Sequence, residues 1–332
     1  MKSADIENRL PGWAYKALIV FATIIWGYSF VVMKDVVEVL PPAWLLGIRF
    51  TSAGLILLAV LWKRVRRTFT GKVLAAGALL GVFDFAAFWT QTVGLQHTTP
   101  GINAFLTATY CVIVPFLWWI IARKRPTVFN VGAAVLAVAG IWLVSVTGSG
   151  AALSMGFGEG MTLLCALLFA LHMVLVSKFS RVSDVLALTV FQFLAEGLLG
   201  CLTGACFEAL PPLAAITPGI VSSMAFLTVF ASIVAFGIQN LALAHVPPAQ
   251  ASLFLSLESV FGVLFSVLLY GELLTGRLVL GFALIFIAIV ISETFPLKRT
   301  VAAEAPPEEA DGAAVLRAGS AATPETAPGR AE

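Results

Sequence analysis

Residues 79–100 read LLGVFDFAAFWTQTVGLQHTTP, and residues 227–248 read LTVFASIVAFGIQNLALAHVPP. At a constant offset of 148 they agree at Leu79/Leu227, Ala87/Ala235, Phe88/Phe236, Gln91/Gln239, Leu95/Leu243, His97/His245 and Pro100/Pro248, seven identities in 22 positions without a gap. Both copies are apolar except for a few polar residues at helical spacing. The chain therefore reads as a duplicated membrane protein with a polar path between its halves.

Composition supports a lipid solvent. The 332 residues are 60% hydrophobic and 11% charged, with mean hydropathy +0.98. Soluble domains carry about 25% charged residues, so this chain has too few charges to cover a water-facing surface. Ten apolar runs are long enough to span a bilayer, at about 13–36, 41–62, 73–95, 99–122, 128–147, 158–178, 184–206, 217–241, 247–270 and 275–295. In lipid they must be helices, because an isolated strand leaves its backbone unsatisfied. The first run is too long for a signal-peptide core and no cleavage site follows it, so no cleavable signal is expected. Cys111, Cys165, Cys201 and Cys206 lack metal or redox spacing and read as packing residues.

The basic residues set the expected orientation. With the N-terminus placed inside, fifteen Lys and Arg fall on the cytoplasmic side, and only Lys34 and Arg277 on the other. This bias places both termini in the cytoplasm and the protein in the plasma membrane. Spans three and eight are equivalent, as are four and nine, and five spans separate each pair. Equivalent helices then cross in opposite directions, the inverted repeat of secondary transporters. Spans one and two repeat at an offset of 143, through Val31/Val174, Leu45/Leu188, Phe50/Phe193, Gly54/Gly197 and Leu55/Leu198. The fold class is thus an all-α membrane protein of ten helices in two inverted five-helix repeats. The repeats cover residues 1–150 and 151–296, and 297–332 form a disordered cytoplasmic tail rich in Ala, Pro, Glu and Gly.

An ionisable group in the middle of a span costs at least about 2.5–3.5 kcal/mol unless it meets water or a partner. Asp84, Phe88 and Gln91 fall at i, i+4 and i+7 on one face of span three, and Ser232, Phe236 and Gln239 match them in span eight. Two readings stand: a polar cavity wall with Asp84 as proton carrier, or a structural ion pair between Asp84 and Arg49. Asn103, Thr107 and Tyr110 form a polar face of span four, and Glu258 in span nine aligns with Tyr110. These serve a substrate or proton site, or act as helix glue. Trp26, Ser29 and Phe30 share a face of span one, and His172 aligns with Ser29 as a ligand, a proton site or a packing residue. His97 and His245 sit at hairpin turns and read as helix-end residues, while the role of Glu196 in span seven stays open. Spans five and ten are the least polar and suit scaffold or homodimer contact.

The order of short motifs resembles the EamA-type members of the drug/metabolite transporter superfamily. They are Trp26-Gly27 with Ser29-Phe30, Arg49-Phe50, Arg123-Lys124-Arg125-Pro126, Leu257-Glu258-Ser259-Val260 and Gly271-Glu272. The resemblance covers about residues 15–295 and implies a central cavity lined by spans one, three, four, six, eight and nine. Carried over, the substrate positions are Trp26, Ser29, Asp84, Phe88, Gln91, Tyr110, His172, Gln239 and Glu258, with Asp84 and Glu258 as proton-coupling candidates. Ser259 stands where the family often has proline. The expected function is export of a small polar metabolite, with a drug exporter or a non-transporting sensor or scaffold as alternatives. No G-x-x-x-x-G-K-[ST] run is present to bind ATP, and neither paired acids nor H-E-x-x-H point to an enzyme or a metal. The expected partners are a small molecule and the lipid bilayer, with no cofactor and no nucleic acid.

Overall fold

The computed structural model describes residues 11–123, 125–147, 154–179, 184–243 and 254–295. Among them, nine helices are long and apolar enough to cross a membrane, and span nine adds a shorter apolar helix, Leu257–Tyr270. Span one is Gly12–Val37, two is Pro42–Thr68 and three is Gly71–Gln96. Span five is Val128–Ser145, six is Phe157–Phe179, seven is Val185–Phe207 and ten is Gly276–Thr294. A two-residue antiparallel pairing, Val146–Thr147 with Ser154–Met155, lies between spans five and six. The expected tail, with His245, Pro248 and Gln250, lies outside the described residues.

Three spans depart from a regular helix. Span four is two pieces, Pro100–Ala108 and Tyr110–Ala122, that meet at Thr109. Span eight runs Pro218–Phe226, then a π-helical stretch Leu227–Val234, then Ala235–Leu243. Span nine runs Leu257–Phe265 into a π turn, Ser266–Tyr270. A hydroxyl bonds back to the helix at the breaks of spans four and eight, and another does so in the first turn of Leu257–Phe265. Thr109 donates to Leu106 O at 2.6 Å, Ser232 to Leu227 O at 3.1 Å and Ser259 to Ser256 O at 2.8 Å. Such bonds compete with the helical ladder and bend it.

The repeat is visible in local geometry. Among the described residues only Arg123 (φ 54°) and Gly271 (φ 75°) have left-handed backbones, and they lie 148 apart, ending spans four and nine. The next helix starts also match. Thr127 Oγ1 accepts from Asn130 N at 3.3 Å, and Thr275 Oγ1 accepts from Leu278 N at 3.3 Å.

Packing obeys the same exchange. Span two lies along seven, five along ten and four against nine. Span three against six matches eight against one, three against seven matches eight against two, and one against nine matches six against four. The 143 offset appears as contact: Gly54 abuts Leu194, and Gly197 abuts Thr51. Small residues allow this approach. A Cβ on Gly200 would lie 2.5 Å from Gly47 N, and one on Gly140 would lie 2.8 Å from Gly281 O. Gly140 of span five and Gly281 of span ten thus meet each other. Outward faces such as Val60, Val135, Val138, Leu198 and Leu280 are exposed and apolar, as lipid contact requires.

Candidate functional site

The polar centre starts at a glycine. At Gly81 a Cβ would stand 2.6 Å from Gln192 O and 3.2 Å from Glu196 N, so span three touches span seven there. One turn on, Asp84 is wholly buried. Gln192 Nε2 donates to Asp84 Oδ2 at 2.6 Å, and His172 Nδ1 lies 3.6 Å from Asp84 Oδ1. Glu196 is also wholly buried, with its carboxyl beside that of Asp84.

Arg49 supplies the positive charge of this centre but makes no direct pair with Asp84. Its Nε donates to Ser232 Oγ at 2.8 Å, its Nη1 lies 3.7 Å from Met33 Sδ, and its guanidinium faces the rings of Phe50 and Phe88 at 4.7 and 5.2 Å. Glu196 is its strongest electrostatic partner, followed by Asp84.

A small cavity of about 30 Å³ adjoins the centre, lined by His172, Gln192, Gln239, Phe236, Thr189 and the apolar side chains of Leu80, Val176, Val185 and Leu188. That is room for a water or two. Val176 and Val185 flank the turn between spans six and seven, so the cavity extends from the polar centre toward that end of the bundle.

The nine expected site residues divide. His172 and Gln239 line the cavity with Phe236, and Asp84 lies behind His172 and Gln192. Trp26 Nε1 donates to Ala231 O at 2.8 Å and its ring meets Phe236 edge-on, which joins spans one and eight. Ser29 donates to Trp26 O at 2.7 Å and turns back on its own helix. Gln91 donates to Thr107 Oγ1 at 3.1 Å, and Asn103 Nδ2 donates to Thr162 Oγ1 at 2.8 Å, so this face of span four bonds neighbouring helices. Phe88 lies tilted against Phe50 and edge-on to Phe169, and Tyr110 meets Phe169 edge-on. Glu258, half-buried, acts electrostatically on Tyr110 and Cys165, a second polar spot on the far side of Phe169.

The sequence profile of the EamA-like transporter family matches this chain twice, at residues 14–146 and 156–294. The chain belongs to the EamA-like transporter family. It is 29% identical over 272 residues to a transporter of Archaeoglobus fulgidus, covering 81% of this chain and 82% of that one. It is 28% identical over 290 residues to the inner membrane transporter YedA of Escherichia coli K12, with 84% and 92% covered. A WAT1-related chloroplastic protein of Arabidopsis thaliana is 26% identical over 278 residues, with 80% and 66% covered. A protein crystal structure superposes with TM-score 0.60 at 18% identity, over 84% of this chain and 96% of that one, which shows the fold. This EamA-like chain is a multi-pass membrane transporter of two repeats, and its relatives carry transporter rather than enzyme names.

At the end of the transporter opposite the cavity, three charged side chains tie helix ends together. Lys34 Nζ donates to Leu95 O, Gln96 O and Thr98 O at 2.7, 3.2 and 3.0 Å, capping span three. Glu272 accepts from Thr99 Oγ1 at 2.5 Å, Gly101 N at 3.1 Å and Ser266 Oγ at 2.5 Å, capping span four from span nine. Glu208 accepts from Ala43 N and Trp44 N at 3.0 and 3.2 Å, capping span two from span seven. His97 ends span three as expected, and its ring meets Phe157 edge-on with centroids 5.1 Å apart. Sequence reading passed over Gln192, Lys34, Glu208 and Glu272 as site residues and left Glu196 open. One signal for Gln192 was at hand: it stands 143 residues after Arg49.

Proposed function

We propose that this EamA-like transporter is a secondary active exporter of a small polar metabolite, an amino acid or a related compound, across the plasma membrane with both termini in the cytoplasm. The observation that carries the reading is a buried polar centre between the repeats, Asp84 with Gln192 and His172, which borders a cavity at one end while Lys34 and Glu272 tie helix ends together at the other. Buried polar groups at mid-membrane between two repeats, with helix ends tied together at one end of the bundle, suit alternating access. His172, Gln192 and Gln239 offer donors and acceptors to a polar substrate, and the Phe236 ring offers an apolar face. Tyr110 and Glu258 form a second polar spot on the same path. Trp26 and Ser29 contribute shape, because their polar atoms are already bonded. Asp84 and Glu258 are the candidates for proton coupling.

Vesicles loaded with a metabolite mixture test the reading. With a proton gradient imposed, wild-type vesicles are expected to lose particular small polar compounds, and Gln192→Ala vesicles to lose them at least tenfold more slowly. Loss of aromatic or cationic drugs alone would favour the drug-export alternative, which the apolar cavity wall of Leu80, Val176 and Leu188 also suits. No compound lost at all would favour a sensor or scaffold.

A further inference from the structure

We infer that Asp84 and Glu196 together form one binding site for a single proton, built across spans three and seven and reached from the cavity through His172 and Gln192. The inference rests on the transport reading for the site's use, and on geometry alone for its existence.

Both carboxyls are wholly buried, and they stand side by side. Neither Glu196 oxygen meets a donor, nor does Asp84 Oδ1. Of the groups that face them, span two contributes Arg49, span six His172, span seven Gln192, and span eight Ser232, which is already bonded to Arg49. With His172 neutral, two carboxylates against one guanidinium leave one uncompensated negative charge. An unpaired buried charge costs several kcal/mol. Adjacent carboxyls instead hold one proton between them and titrate as a unit. That proton turns one acceptor into a donor for the other, and the centre becomes neutral.

The path to the pair is a second, independent observation. His172 is 7% exposed, and its Nε2 has no partner while its Nδ1 faces Asp84. His172 and Gln192 both line the cavity and both reach Asp84, so one side chain separates the cavity from the pair. A proton taken up at His172 Nε2, with one released from Nδ1, reaches the pair and leaves the ring neutral. Glu258 belongs to a different cluster.

Infrared spectroscopy of the purified full chain in lipid tests this without any substrate. At neutral pH, wild type is expected to show, beside any band from Glu258, the C=O stretch of one protonated carboxyl of the pair, shifting in D2O. Glu196→Gln leaves Asp84 alone with Arg49, Asp84→Asn leaves Glu196 alone with it, and each is expected to abolish that band. Glu258→Gln is expected to keep it. Equal band intensity in wild type and either folded single variant would overturn the inference. So would loss of the wild-type band when sodium replaces choline, which would mark a metal-cation site. Two variants guard against one failing to fold, as judged by gel filtration. An absent band and an absent flux are separate results, so this inference and the transport reading fail independently.

Discussion

Arg49 on span two bonds Ser232 on span eight at 2.8 Å, and the repeat exchange carries that pair onto Gln192 on span seven and Asp84 on span three, bonded at 2.6 Å. Arg49 plus 143 is Gln192, and Ser232 minus 148 is Asp84. The two halves thus make the same cross-span hydrogen bond with opposite chemistry. One half presents a cation to a hydroxyl, and the other presents an amide to an acid. The duplicated fold provides a symmetric frame, and two differences between the copies, Arg49 against Gln192 and Asp84 against Ser232, make its centre asymmetric.

Removing the cation of this centre is expected to be costly. Arg49→Met keeps the length and the contact with Phe50 and Phe88 but leaves Asp84 and Glu196 without a positive neighbour. The expected loss is about 3–5 kcal/mol, seen as a much lower unfolding temperature in detergent micelles. Ser232→Ala removes one hydrogen bond to a charged group and is expected to cost about 1.5–3 kcal/mol.

The contact of spans two and seven tolerates no side chain at its closest point. Gly200→Val places atoms against the Gly47 backbone, and overpacking costs about 1–3 kcal/mol. Gly132→Ala, where the added methyl meets nothing within 4 Å, is expected to leave stability unchanged or raise it by up to about 1 kcal/mol through helix propensity. Thermal unfolding of the two purified variants gives the comparison.

Glu272 ties span four to span nine through two donors, Thr99 Oγ1 and Gly101 N, and also accepts from Ser266 of span nine. Glu272→Ala leaves those donors unpaired, and hydrogen bonds to charged groups contribute about 1.5–3 kcal/mol each. Opening at that end is expected to rise tenfold or more. A cysteine placed at Thr98, with the native cysteines replaced by alanine, is expected to react correspondingly faster with a membrane-impermeant maleimide. An unchanged rate would show that the cap does not hold this end closed.

Much of the fold is legible in the residues because lipid leaves few alternatives. Apolar runs had to be helices, and the 148 offset through Leu79, Phe88 and Gln91 marks the duplication that the family match also reports. The site is less legible. A spacing of i, i+4 and i+7 says that Asp84, Phe88 and Gln91 share a face, but not which helix each meets. Asp84 turns to span seven, Gln91 to span four and Phe88 into an aromatic cluster. The helix breaks at Thr109 and Ser232 coincide with hydroxyls bonded to backbone carbonyls, but Ser29 and Thr92 make the same bonds in unbroken helices and look the same in sequence. Lys34 reads as an exception to the charge bias, and its reason appears only when span three ends within reach of its ammonium.

The most direct test of the account is an untargeted comparison of metabolites in the medium of cells carrying the wild-type chain, cells carrying Gln192→Ala, and cells with neither. The account predicts a small polar compound or set of related compounds enriched several-fold outside wild-type cells and returning to background with the variant, at equal amounts of folded protein in the membrane. Enrichment that persists undiminished in Gln192→Ala cells would contradict the placement of the site, and identical media from all three would contradict export itself.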